Sequence, residues 1–151
     1  MMTRKTIKTF DLKELPMEVA LHNIIDGSDG ELRDRCGALL AMHRAGKKEV
    51  PIFLFGLMAQ NYSNIARKQI IVEALASIET KECANILFRE LKDIESNNIT
   101  RGYIDTILKS IRRFPLEMTS EGIKSLLNDK KWSYKMKAKF EEILVNKILN
   151  V

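Results

Sequence analysis

Four basic residues, Arg35, Lys68, Arg101 and Lys137, recur at spacings of 33, 33 and 36. Their type and regularity suit them to neutralising a row of anions. Those anions would be the carboxylates of an acidic protein segment or the phosphates of a nucleic acid. A second cluster is Lys130–Lys139, KKWSYKMKAK, in which five lysines are interleaved with Trp132 and Tyr134. Lysines neutralise phosphates and aromatic rings stack on bases, so Lys135 and Trp132 join the four column residues as candidate partner contacts. Catalytic chemistry has no such foothold. There is no G-x-S-x-G elbow, no phosphate-binding glycine loop and no dinucleotide glycine pattern. Carboxylate neighbours such as Glu141 and Glu142 are spaced like surface charges. The two histidines (His22, His43) and two cysteines (Cys36, Cys83) lack the spacing of a metal site. The expectation is a protein that is not an enzyme, with no catalytic residues, no cofactor, no metal and no small-molecule substrate.

Both basic clusters also have a purely structural reading. A cation near a helix N-terminus opposes the helix dipole, so it calls for an acidic neighbour. Asp29 and Glu95 lie in turns that suit an acid–arginine ladder between adjacent repeats. On that reading the aliphatic stems pack over apolar surface. If the column charges are instead exposed, reversing two of them should change stability by only about 0–1 kcal/mol. Trp132 and Tyr134 would likewise pack inward, Tyr134 taking the register position of Leu32 and Ile65.

The elements that must position these side chains are helices in repeat. Ala38, Ala41 and Met42 recur as Ile71, Ala74 and Leu75, as Ile104, Ile107 and Leu108, and as Phe140, Ile143 and Leu144. Upstream, Leu21 and Ile25 recur as Leu54 and Met58, Leu87 and Leu91, and Ile123 and Leu127. Two apolar helical stripes returning four times at one period mark stacked helical pairs. The six positions Ile71, Ala74, Leu75, Ile104, Ile107 and Leu108 should then be almost fully buried. With only 7 Gly and 3 Pro, there is little room for sheets or hairpins.

The chain order supports this division. Residues 1–15 would cap the open end of the array, and 16–151 would form one repeat domain. Pro16 opens a first helix over 16–26, and Glu31 to Arg44 forms its partner, closed by Ala45-Gly46. Val50-Pro51 starts the next helix, PIFLFGLMAQ, apolar almost all round as if buried on both sides. Asn61, Ser63 and Asn64 offer an N-cap for 65–78, and Thr80 offers one for a helix to about Glu95. Helix 99–113 follows, stopped by Phe114-Pro115. Thr119 or Ser120 would cap a helix through Asn128, and Trp132–Leu149 would form the last.

Composition agrees with a soluble helical protein, 45% apolar and 30% charged. No apolar run reaches the roughly 18 residues of a membrane span, so no membrane association is expected. The basic start MMTRKTIKTF lacks the apolar core of a secretory signal. Buried reduced cysteines and a cytoplasmic location are the corresponding expectations. The net charge of +5 is concentrated at the two ends, and residues 111–151 hold nine basic and five acidic side chains.

The repeats resemble the HEAT and armadillo class of α-solenoids, HEAT more closely. That family shows an apolar residue and then Arg early in the second helix, after an Asp in the preceding turn. Here Leu32-Arg33 follows Asp26 and Asp29, and Arg101 follows Glu95. The prolines at Pro16, Pro51 and Pro115 sit near first-helix starts, as in the family. Ala66-Arg67 has no acid upstream, and the fourth repeat offers lysines instead. The resemblance implies an all-α fold, a right-handed α-α superhelix of about four helix pairs, whose second helices line a concave face. It also implies a protein-binding scaffold, the class of adaptors, regulators and immunity-type proteins. The charge column would then run down the inner groove, with a protein partner as the leading expectation. The alternative is a nucleic-acid-binding module, similar in outline to HEAT-like DNA glycosylases but without their catalytic residues.

Overall fold

The computed structural model describes residues 29–150. The expected cap over 1–15, the first helix over 16–26 and His22 lie outside the described residues. Seven α-helices make up the described chain: α1 (Asp29–Arg44), α2 (Val50–Gln60), α3 (Ile65–Ala76), α4 (Lys81–Asp93), α5 (Arg101–Arg113), α6 (Leu116–Leu127) and α7 (Tyr134–Leu149). No strand occurs among the described residues, and no described helix is long and apolar enough to cross a membrane. The described residues fall into two compact units that divide between Ala74 and Leu75.

In the first unit α1 packs on α2. Leu32, Cys36, Leu39 and Met42 form the buried face of α1, at helical spacing. Its end is closed by Gly46, at φ 109°, where the missing Cβ makes a left-handed turn inexpensive. Lys47 N–H then donates to Met42 O and Gly46 N–H to His43 O, both at 3.0 Å. Those two bonds satisfy carbonyls that the helix itself leaves open. α2 starts with Pro51 in its first turn, as its sequence predicts. It is not buried on both sides, however. Val50, Leu54, Leu57 and Met58 face inward, while Ile52, Gly56 and Ala59 point to solvent. The helix buried on nearly all sides is α3, where Ile70, Ile71, Val72, Ala74, Leu75 and Ala76 are all enclosed. Asn64 caps α3, accepting the Arg67 N–H at 3.1 Å.

In the second unit α4 packs against both α5 and α6, and α6 packs against α7. Thr80 caps α4 by accepting the Cys83 N–H at 3.2 Å. The apolar stripe of α5 (Tyr103, Ile104, Ile107, Leu108, Ile111) is buried throughout. All six positions expected to lie deepest are at most 4% exposed. Several boundaries differ from the sequence reading. α3 ends at Ala76, α4 at Asp93, and α7 starts at Tyr134 rather than Trp132. Two further helix starts differ for a visible reason. α5 begins at Arg101 because Ile99 and Thr100 are consumed by the preceding turn. α6 begins at Leu116, so Thr119 is not its cap. Pro115, at φ −59° and ψ 155°, launches the helix directly. Thr119 sits one turn inside, fully buried, donating its hydroxyl to Pro115 O at 3.1 Å.

α4 and α6 approach closely at Gly122. A Cβ placed there would lie 2.4 Å from Cδ2 and Cε2 of Phe88. Two lysines complete the unit by closing helix ends. Lys131 Nζ donates to the Leu91 and Lys92 carbonyls at 2.8 and 3.0 Å, at the end of α4. Lys147 Nζ donates to Arg112 O at 3.1 Å and also to Phe114 O, at the end of α5. A cation there meets both open carbonyls and the negative end of the dipole.

Candidate partner-binding site

The first turn of α5 and the first two turns of α7 bring three of the basic side chains to one recess. Before α5, Asn97 Oδ1 accepts the N–H groups of Ile99 and Thr100 at 2.9 and 3.0 Å. The Thr100 hydroxyl donates back to Glu95 O at 2.6 Å. This locked turn fixes Arg101 as the first helical residue, its guanidinium donating to Asn98 Oδ1 at 3.2 Å. Before α7, Trp132 is 4% exposed and meets Phe140 edge to face, with centroids 5.2 Å apart. Ser133 then caps the helix, accepting the Met136 N–H at 3.2 Å. These anchors set Lys135 in the first turn of α7, with Lys139 one turn on.

Between them lies a recess of about 180 Å³, lined among others by Arg101, Lys135, Lys139, Ser96 and Ser133. Ile104 and Met136 form its apolar lining. Its single carboxylate is Asp105, paired with Lys139 at 3.6 Å. Three cations against one acid leave the recess at a net +2. Ile99 (80% exposed) and Tyr134 (95% exposed) adjoin these residues in the chain. Exposure of Tyr134 corrects the expectation that it packs inward. Trp132 takes the interior place against Phe140, which leaves Tyr134 at the open first turn of α7.

The other candidates are placed differently. Arg35 is exposed on α1, and Lys137 is half-buried and does not line the recess. Lys68 is only 4% exposed, its ammonium 5.5 Å from the centre of the Tyr62 ring. The expectation that a charge there can be reversed at little cost therefore fails. Burial of a charge is tolerated only where neighbouring groups compensate it. The acid–arginine pairing between adjacent repeats exists in the first unit, but through Arg67 rather than through Arg35. Arg67 donates to Asp29 Oδ1 at 3.4 Å and to Asn61 Oδ1 at 3.0 Å. The acid missing from its own turn thus comes from the start of α1.

Within the lysine run, Lys131 is committed to the end of α4. Loss of water around its ammonium lowers its pKa, opposed by Asp129, Asp93 and Glu90. It also lies 4.7 Å from the Trp132 ring centre. Loss of water likewise lowers the pKa of Lys147. Sequence periodicity missed these two capping lysines and the Asp105–Lys139 pair. A lysine one repeat after a helix end was the available signal.

The second unit has two larger recesses. One of about 710 Å³ lies between α4 and α6, where Arg89 and Lys92 face Asp93 and Asp129. Its balanced charge selects for neither sign. The other, about 500 Å³, contains the engaged Lys147. Among the described residues, no group of three or more His, Cys, Asp or Glu side chains converges as a metal site would require. The thiols of Cys36 and Cys83 are buried and unbridged, and burial pushes both up to about 11. At neutral pH they are therefore protonated and poorly nucleophilic.

No protein-family model matches the sequence, and no curated protein or solved structure matches it either.

Proposed function

We propose that this chain is a non-catalytic HEAT-like repeat module that binds an acidic segment of a partner protein where α5 and α7 begin. The observation that carries this reading is the +2 recess formed by Arg101, Lys135, Lys139 and Asp105. Exposed Tyr134 and Ile99, within two residues of its lining in the chain, add the aromatic and apolar surface that protein interfaces favour. A right-handed superhelix with the second helices on its concave face is part of the proposal. The recurrence of the apolar columns and the burial of all six deepest positions support it. A cytoplasmic setting is also part of it, in keeping with two free, buried cysteines.

The test is titration of the whole chain with a glutamate-rich peptide. The paired reversal Arg101→Glu and Lys135→Glu should abolish binding while the fold, followed by far-UV circular dichroism, is retained. Undiminished affinity in that variant would refute the site.

A second reading, nucleic-acid binding, is favoured by one observation. Tyr134 stands fully in solvent inside a lysine-rich run, as a base-stacking residue would. Its signature is affinity for an oligonucleotide that falls steeply with salt, at a slope set by the number of phosphates neutralised.

A further inference from the structure

We infer that the recess at the starts of α5 and α7 is a phosphomonoester site, shaped to receive a phosphorylated side chain of the partner protein. This rests on the reading of that recess as the partner contact, and it names the chemistry of the group received. Charge is the first argument. Arg101, Lys135 and Lys139 against Asp105 leave +2, and a phosphoserine or phosphothreonine carries about −1.5 to −2 at neutral pH. A glutamate supplies one negative charge and leaves a cation unmatched.

Donor geometry is the second argument. The Arg101 guanidinium gives one N–H to Asn98 and has four of its five donors left for a planar or tetrahedral oxyanion. The Ser133 oxygen already accepts the Met136 N–H, so its hydroxyl proton is the group it has left to offer. The positive end of the α7 dipole adds to the same field.

Size is the third argument. A volume of about 180 Å³ corresponds to roughly six waters at about 30 Å³ each. That accommodates one tetrahedral anion with a few waters. A nucleic-acid backbone, carrying one charge per phosphate, would want cations laid out along a track instead. The track is interrupted in the lysine run, because Lys131 is held by the α4 carbonyls. Exposed Ile99 and Tyr134 then serve the residues flanking the phosphorylated one.

The experiment is a ¹H–¹⁵N NMR titration of the full chain with four probes. They are an acidic peptide carrying one phosphoserine, the same peptide with serine, the same with glutamate, and a short oligothymidylate. The phosphoserine peptide should bind about ten- to a hundredfold tighter than the serine peptide, the scale of hydrogen bonds to a charged group. Its shifts should centre on the first turns of α5 and α7. Affinity should rise from about pH 5 to about pH 7, as the monoester takes its second charge at a pKa near 6. Arg101→Gln and Lys135→Gln should each erase the preference, while Lys130→Gln should keep it. Equal affinity for the glutamate and phosphoserine peptides overturns the phosphate inference and leaves the acidic-segment reading standing. Phosphoserine preference untouched by both Gln variants removes it from this recess. Binding of oligothymidylate alone, or of no probe, overturns both readings.

Discussion

Replacing Gly122 with alanine separates packing from helix propensity, because the two forecast opposite signs. Gly122 lies inside α6, and in a helix interior Gly→Ala ordinarily stabilises by about 0.8–1 kcal/mol. The new methyl, however, would sit 2.4 Å from Cδ2 and Cε2 of Phe88 and 2.6 Å from its Cγ. Contact with Cγ matters most. The clash reaches the root of the ring, so rotation of the ring about its own axis cannot relieve it. Overpacking of this kind costs typically 1–3 kcal/mol. The net expectation is neutral to about 2 kcal/mol destabilised, never stabilised. Gly102, on α5 of the same unit, and Gly37 on α1 have nothing within 4 Å of an added Cβ. Their alanine variants should gain stability, Gly37 by up to about 1 kcal/mol and Gly102 by less, since it lies in the first helical turn. Urea unfolding followed by far-UV circular dichroism would measure all three, with Phe88→Leu added to Gly122→Ala to complete a double-mutant cycle. The pair should show favourable coupling, because the smaller side chain makes room for the methyl. Gly122→Ala as stabilising as Gly37→Ala, with no coupling to Phe88, would refute the close α4–α6 approach.

Other perturbations probe the core, the caps and pH. Leu108→Ala, at a position 4% exposed, should cost about 2–5 kcal/mol in the same urea assay. The Trp132 Nε1–H finds no acceptor among the described residues, so Trp132→Phe should cost far less than Trp132→Ala, for which about 3–5 kcal/mol is expected. Lys131→Met should destabilise by about 0.5–1.5 kcal/mol, as it uncaps the part-buried Leu91 carbonyl while water can replace it at Lys92. Cys36 and Cys83 have folded pKa values of about 11 against an ordinary 9.0. The unfolded chain therefore loses thiol protons first, and stability should fall as pH rises from 9 to 11. Each thiol contributes at most roughly 2–3 kcal/mol to that fall, and Cys36→Ala and Cys83→Ala should each flatten the slope.

Architecture was legible in the sequence because burial repeats. Ile71, Leu75, Ile104 and Leu108 occupy one helical register, and each is buried. Apolar residues have one favourable place, so their period reports their environment directly. Two helix starts capped by a side chain were legible, at Asn64 and Thr80, whereas the Ser133 cap of α7 was passed over because the apolar Trp132 before it reads as helix. Starts were also misplaced where the backbone does the work, as at Pro115. The outward face of α2 was also missed. Ile52 is as apolar as Leu54, and composition does not say which of two apolar faces meets solvent.

Charged residues behave otherwise, because a long cation has several acceptable fates at one register position. Arg101 is exposed at a helix start, Lys137 is half-buried and does not line the recess at α5 and α7, and Lys68 is enclosed beside Tyr62. What separates them is local. Arg101 follows a turn whose polar side chains hold one another, so its guanidinium is left at the surface. Lys68 lies on α3, which is buried on nearly every side. A sequence column thus names positions where a cation recurs, and the turn before each helix decides whether that cation meets water. The recess drew on Arg101 from the column and Lys135 from the lysine run, with Lys139 held by Asp105 across the helix pair. Only the start-to-start placement of α5 and α7 brings the three together. Proximity of that kind depends on how two helices are launched, by Asn97 and Thr100 on one side and by Trp132 and Ser133 on the other. Those four residues are therefore as necessary to the recess as its cations. Loosening the α5 launch by Asn97→Ala, at a residue that does not line the recess, should weaken anion binding without removing a charge or a recess donor.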